Sequence, residues 1–218
     1  FDATDCKSCH EAAVTKMEQT KHAGLAESCA TCHDRDKALA HSKDRADGKE
    51  TPGPSVKSLT ANQINTTCLG CHEKNKQANW AGGQHERKNV ACISCHSIHS
   101  FKSVKAQLKT ATDSETCFSC HKTQRAMAQK TSHHPVREGK VGCASCHNPH
   151  DVPRAEAATQ HYDAACRTCH TAAFNQLVST GRHTAAPNCA SCHMPKRRTE
   201  DVIHSLATDH LIQRRPPP

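Results

Sequence analysis

The chain is 218 residues long and holds 29 Lys and Arg, 21 Asp and Glu, 16 Cys and 19 His, but only four Phe, one Trp and one Tyr. A mean hydropathy of −0.76 with so few aromatic residues excludes a large side-chain core, and no stretch approaches the roughly 20 apolar residues of a membrane helix. The formal charge of +8 invites a nucleic-acid or membrane-surface partner, with Lys196-Arg197-Arg198 as a basic patch, unless a cofactor changes the balance.

Every Cys falls into one pattern, CxxCH, and none is left over. In chain order the motifs are Cys6-Cys9-His10, Cys29-Cys32-His33, Cys68-Cys71-His72, Cys92-Cys95-His96, Cys117-Cys120-His121, Cys143-Cys146-His147, Cys166-Cys169-His170 and Cys189-Cys192-His193. A disulfide framework or zinc knuckles would also use an even number of Cys and CxxC pairs. Neither accounts for a His after all eight pairs, an arrangement with chance odds on the order of 10⁻⁸ or less at this His frequency. CxxCH is the attachment signature of haem c: the two thiols add to the haem vinyl groups and the adjacent imidazole becomes the proximal iron ligand. Eight haem c groups, each with its iron, are therefore the cofactors the sequence implies. Their propionates would add about 16 negative charges, so the Lys and Arg side chains read as propionate partners or solvated surface, and no nucleic-acid partner is expected.

Porphyrin then supplies the apolar surface that the side chains lack. The expected fold is mostly loop with short α-helices wrapped around a chain of eight c-type haems, with essentially no β-sheet. Without haem the polypeptide is expected to be largely unfolded.

The motifs group into four pairs, whose first Cys residues are 23, 24, 26 and 23 apart. Steps of 49 residues separate Cys68, Cys117 and Cys166, whereas Cys6 and Cys68 are 62 apart. The reading is a single domain over 1–218, built of four di-haem units at about 6–41, 68–104, 117–155 and 166–213. The extra residues of the first step fall in 42–67, rich in Lys, Asp, Gly and Pro, which reads as a surface loop. Helix-compatible composition follows His10, over Glu11 to Lys21, with Val14 and Met17 on an inward face. It recurs over Thr171 to Thr180, with Phe174, Leu177 and Val178 facing inward. Breakers end these segments at Gly24, Gly82-Gly83, Pro135 and Gly181.

Eleven His remain beyond the proximal eight. One follows the first proximal His of each pair at a nearly constant interval: His22, His85, His133 or His134, and His183. Another follows each second motif: His41, His99, His150, and His204 or His210. These supply two candidate distal iron ligands per pair, and His161 has no assigned role. His99 and His150 each follow a proximal His by three residues. Such side chains have Cβ atoms about 5–6 Å apart, whereas imidazoles on opposite faces of one iron need backbones roughly 12 Å apart. Neither can serve the haem of its own motif, so each reaches a neighbouring one. Met17, Met127 and Met194 are alternative donors, but the supply of His favours two imidazoles on every iron.

The segment Ser132-His133-His134-Pro135-Val136-Arg137-Glu138-Gly139-Lys140-Val141-Gly142-Cys143 through His147-Asn148-Pro149-His150, with Val90-Ala91-Cys92-Ile93-Ser94-Cys95-His96-Ser97-Ile98-His99, resembles the decahaem periplasmic cytochromes that feed electron conduits. The likeness covers roughly residues 68 to 151, and this chain has eight motifs where that family has ten. The closing segment, Cys192-His193-Met194-Pro195-Lys196-Arg197-Arg198-Thr199 with Asp201, His204 and Thr208-Asp209-His210, is similar to a multihaem group related to tetrahaem cytochromes. That resemblance implies a tail His as ligand, His204 or His210.

Electron transfer follows as the expected function, with no catalytic residue. The partners are other cytochromes or redox proteins, and head-to-tail contact between copies would extend the row into a filament. Phe1 in place of Met points to a processed, exported chain, periplasmic or extracellular. The competing reading, a multihaem reductase of nitrogen or sulfur oxyanions, needs an open iron site, and the sequence has no CxxCK and one Tyr, Tyr162. Haem storage is the third reading, and covalent attachment argues against it.

Overall fold

The computed structural model describes residues 4–25, 29–131, 134–186, 188–198 and 206–214. His133, His204 and Pro216 to Pro218 lie outside them. The chain divides into two compact units, Phe1–Thr112 and Asp113–Pro218, each holding two motif pairs. Among the described residues the elements are short α-helices, single 3-10 turns and one two-stranded sheet.

In the first unit, α1 (Thr4–Glu18) carries the first motif and breaks its helical geometry at His10, with φ −117° and ψ 32°. Single turns follow at Ala23–Leu25 and Cys29–Thr31. Helix α2 (Arg35–Ala46) starts at Asp34, whose carboxylate accepts from the Lys37 N–H, 2.9 Å, satisfying one of the orphan donors of the first turn. Helix α3 (Ala61–Leu69) opens on a reciprocal capping box between Thr60 and Gln63. A 3-10 segment at Asn75–Trp80 leads to α4 (Gln84–Arg87) and α5 (Cys92–Cys95).

The second unit begins with α6 (Asp113–Phe118) and α7 (Lys122–Ala128), followed by a turn at Cys143–Ser145. Helix α8 (Ala155–Ser179) is 25 residues long. It stops in a Schellman arrangement: Gly181, at φ +66°, donates to the Val178 carbonyl and Arg182 to that of Leu177. After α9 (Cys189–His193), β1 (Lys196–Arg198) pairs antiparallel with β2 (Leu206–Thr208), in register Lys196 to Thr208.

Two sequence expectations change here. The 42–67 segment is not all loop, because α2 runs to Ala46 and α3 starts at Ala61, leaving Asp47 to Thr60 with one 3-10 turn at Val56–Ser58. The capping box is a local signal strong enough to start a helix inside an otherwise breaker-rich stretch. Helix α8 also begins at Ala155, well before the expected start at Thr171. Ala157, Ala158, Ala164 and Ala165 favour helix, and the motif itself is compatible with a continuous turn.

Among the described residues neither unit has a conventional core. No described side chain is fully buried, and the buried apolar residues are Val14, Ala38, Ile64, Trp80, Ala91 and Phe101, all in the first unit. In the second unit the buried described residues are polar: Ser114, Thr116, Asp163 and Asp209. Val14 is thus inward as its spacing suggests, while Leu177 is 39 % exposed. So few buried apolar side chains cannot offset about 1–2 kcal/mol of ordering entropy per residue. A haem-free chain is therefore expected to show little helical circular dichroism and no cooperative thermal transition; a sharp melt of haem-free material would contradict this.

Candidate haem-ligand sites

Each motif is a single turn of helix. His33, His72, His96, His121 and His147 each donate their backbone N–H to the carbonyl of the first Cys of their motif, at 2.9–3.0 Å. The turn places two thiols three residues apart on one edge with the imidazole one position beyond. None of the sixteen thiols is in a disulfide. Among the described residues, no three His, Cys, Asp or Glu side chains converge to hold a metal ion, whereas zinc knuckles use four.

The imidazoles meet in twos. His10 faces His41 with ring centres 6.3 Å apart, His33 faces His99 at 6.2 Å, and His72 faces His22 at 5.9 Å. In the second unit His170 faces His134 at 6.1 Å, His147 faces His210 at 6.0 Å, and His193 faces His183 at 6.0 Å. Two ring nitrogens each about 2 Å from one metal ion set ring centres roughly 6 Å apart. Every one of these pairs joins the His of a CxxCH motif to one outside any motif. His99 thus lies against a proximal His of the first pair, and His22 of the first pair lies against that of the second. Of the alternatives left open by the sequence, His134 and His210 are the ones so placed.

Other site residues make further contacts. The His85 ring lies on Trp80, 6.1 Å between centres. His150 donates its backbone N–H to the Asn148 side chain at 3.1 Å. His161 donates from Nε2 to the Cys146 carbonyl at 3.0 Å and packs edge-on to Tyr162, so it supports the sixth motif.

Backbone carbonyls orient the rings. Nδ1–H donates from His33 to Pro54 (2.8 Å), from His41 to Thr51 (2.9 Å), from His96 to Ala106 (2.6 Å) and from His99 to Ala13 (3.1 Å). The same bond runs from His183 to Thr184 (2.6 Å), from His193 to Gln213 (2.6 Å) and from His210 to Thr208 (3.1 Å). A donor at Nδ1 leaves the lone pair on Nε2, the tautomer a metal needs. Burial, aided by the neighbouring His72 and opposed by Gln107, holds His22 below the usual histidine pKa. Burial, then His210, His161 and His121, does the same for His147. Both effects favour the neutral, ligating form.

Sequence reasoning missed these orienting groups, because a backbone carbonyl leaves no mark in residue type. The 42–67 segment seats two rings through Thr51 and Pro54, and a Cβ on Gly53 would stand 3.3 Å from the His41 ring. The C-terminal hairpin is fastened by Arg197 Nε donating to buried Asp209, 2.5 Å, which places His210 and Gln213.

The two motifs of a pair are also joined. The thiol of Cys68 adjoins that of Cys92, Cys117 that of Cys143, and Cys166 that of Cys189. Sharing of a proton drives the Cys68 thiol up and Cys92 down, and pulls Cys143 down to about 6.

A family model described as cytochrome c3 matches residues 84–171. The chain is 31 % identical over 179 residues to the multiheme cytochrome MtrA of Shewanella baltica, covering 77 % of this chain and 52 % of that protein. It is 30 % identical over 129 residues to the cytochrome c-type protein NrfB of Escherichia coli, covering 55 % of this chain and 65 % of that protein. The chain thus spans between half and two thirds of the length of these relatives. With motifs, paired imidazoles and relatives in agreement, the chain is a multihaem c-type cytochrome, and haem c is its cofactor.

Replacing Gly53 by Val is expected to push His41 from its seat, which would leave an iron held between His10 and His41 with one imidazole. One high-spin ferric iron per chain should then appear in the electron paramagnetic resonance spectrum. A spectrum that stays wholly low-spin would remove His41 as the donor.

Proposed function

We propose that this protein carries eight haem c groups and conducts electrons along them without transforming a substrate. The reading is carried by the imidazole pairs described at six of the eight motifs, where two donors per iron would leave no position for a substrate. His10, His33, His72, His147, His170 and His193 are the proximal ligands; His41, His99, His22, His210, His134 and His183 are their distal partners. His96 and His121 are the other two proximal ligands, and His85 and His150 are the distal donors the spacing offers them.

Bound haem supplies one-electron exchange between ferric and ferrous iron, tuned by axial ligands and surroundings. The chain's part is to hold the attachment points close. Within each of three pairs the anchoring thiols adjoin, and His22 and His99 tie the first pair to the second. Such linking keeps the spacing of neighbouring groups fixed while the polypeptide has little core of its own.

Thioether attachment and the resemblance to periplasmic cytochromes support an exported protein, periplasmic or extracellular, handing electrons to other redox proteins. No helix among the described residues is long and apolar enough to cross a membrane. The mass of the purified protein should exceed that of the polypeptide by eight haem groups, and the reduced protein should bind no carbon monoxide. A lower count, or carbon monoxide binding at one iron, would favour the reductase reading. Head-to-tail association would lengthen the conducting row without new chemistry. Native mass measurement across a concentration series is expected to reveal a ladder of oligomers, and a strict monomer at high concentration would rule it out.

A further inference from the structure

One position recurs in the motif pairs and is not part of the haem-attachment signature. It lies three residues before the first Cys of the pair, on the helix that carries the first motif, and its side chain accepts the backbone N–H of the first Cys of the second motif. Asn65 does this to Cys92 at 2.8 Å, Ser114 to Cys143 at 3.3 Å, and Asp163 to Cys189 at 2.7 Å. All three residues are buried, at 5 %, 8 % and 8 % exposure. The corresponding residue of the first pair, Ala3, has no side chain capable of it. Asn65 also donates to the Val90 carbonyl at 3.1 Å, and Asp163 also accepts the Asn188 N–H at 2.5 Å. An N–H at the start of a short helical turn has no partner within that turn. The side chain supplies one from the other motif, and so locks the register of the two attachment sites.

The three locks differ in charge: Asn65 and Ser114 are neutral, whereas Asp163 is a carboxylate. Resting on the haem reading above, we infer that Asp163 both joins the last two motifs and holds down the reduction potentials of the two haems attached there, at His170 and His193. Reduction adds an electron to each site, and a fixed negative charge opposes it, most strongly where water is excluded. The carboxylate stands at both anchors, three residues before Cys166 on α8 and 2.7 Å from the Cys189 N–H. Burial works against ionisation of Asp163 itself, but the N–H groups of Asn188 and Cys189 outweigh it and hold its carboxyl below the usual range. Arg167, which stacks on Phe174 at 4.2 Å, is the nearby positive charge and offsets part of the effect. Asp113 contributes a carboxylate to the third pair, accepting from the Ala144 N–H at 2.6 Å, but it is less buried than Asp163.

The test replaces Asp163 by Ser, a residue that serves the same lock at position 114, and in a second variant replaces Asn65 by Asp. Haem content is counted first in each holoprotein, and a content other than eight in the native protein would fault the underlying reading rather than this one. Potentiometric titration followed by absorbance is then expected to show two of the one-electron components of Asp163→Ser moving to higher potential. The expected size is about a tenfold change in their equilibrium constant, about 59 mV, with the other components moving less. Asn65→Asp should move two components the opposite way. Fully loaded variants whose potentials match the native protein would overturn the inference. If Asp163→Ser fails to take up its last two haems, the Asn65→Asp shift alone decides.

Discussion

A polypeptide with little apolar interior must take its order from somewhere, and here the organising constraint is the facing of imidazoles. The separation of the paired rings suits two nitrogens on one metal ion. For His33, His41, His99, His183, His193 and His210 a backbone carbonyl holds Nδ1 and leaves the lone pair on Nε2. Because His22 and His99 face proximal rings outside their own motif pair, the same contacts that would complete a coordination sphere also connect successive stretches of chain. Facing imidazoles thus take the place that interdigitated side chains hold in an ordinary domain.

The second level of order lies between the two motifs of a pair. Adjoining thiols and a buried polar side chain, Asn65, Ser114 or Asp163, bring two attachment turns together using hydrogen bonds rather than apolar area. In the second unit, where the buried described residues are all polar, these bonds and the Arg197–Asp209 pair are the principal fixed points. Polar groups buried this way are stable only when every donor finds an acceptor, and the locks provide that at the starts of the turns.

Relatives and geometry together make this a multihaem cytochrome, and its length relative to MtrA and NrfB leaves the wider electron route as a proposal. Its organisation is one of fixed spacing, since imidazoles face one another in pairs and the contacts between motifs hold them. The departures from the expected loops have the same sense. The 42–67 segment gains a capped helix and uses its Thr51 and Pro54 carbonyls to aim His41 and His33, so a stretch read as surface connection seats two of the paired rings.

The chemistry of attachment was legible from residue order alone, because CxxCH is a short contiguous motif and one helical turn suffices to present it. The pairing of motifs was legible too, since a constant interval of 49 residues needs no folding to be counted. Spacing also told that His99 cannot turn back on its own motif. It took the folded chain to show that His99 faces His33, that His22 faces His72, and that His134 and His210 are the rings brought to His170 and His147. The locks at Asn65, Ser114 and Asp163 emerged in the same way. All these partners are distant from one another along the chain, and their meeting depends on where intervening turns direct the backbone, which no local pattern of residues encodes.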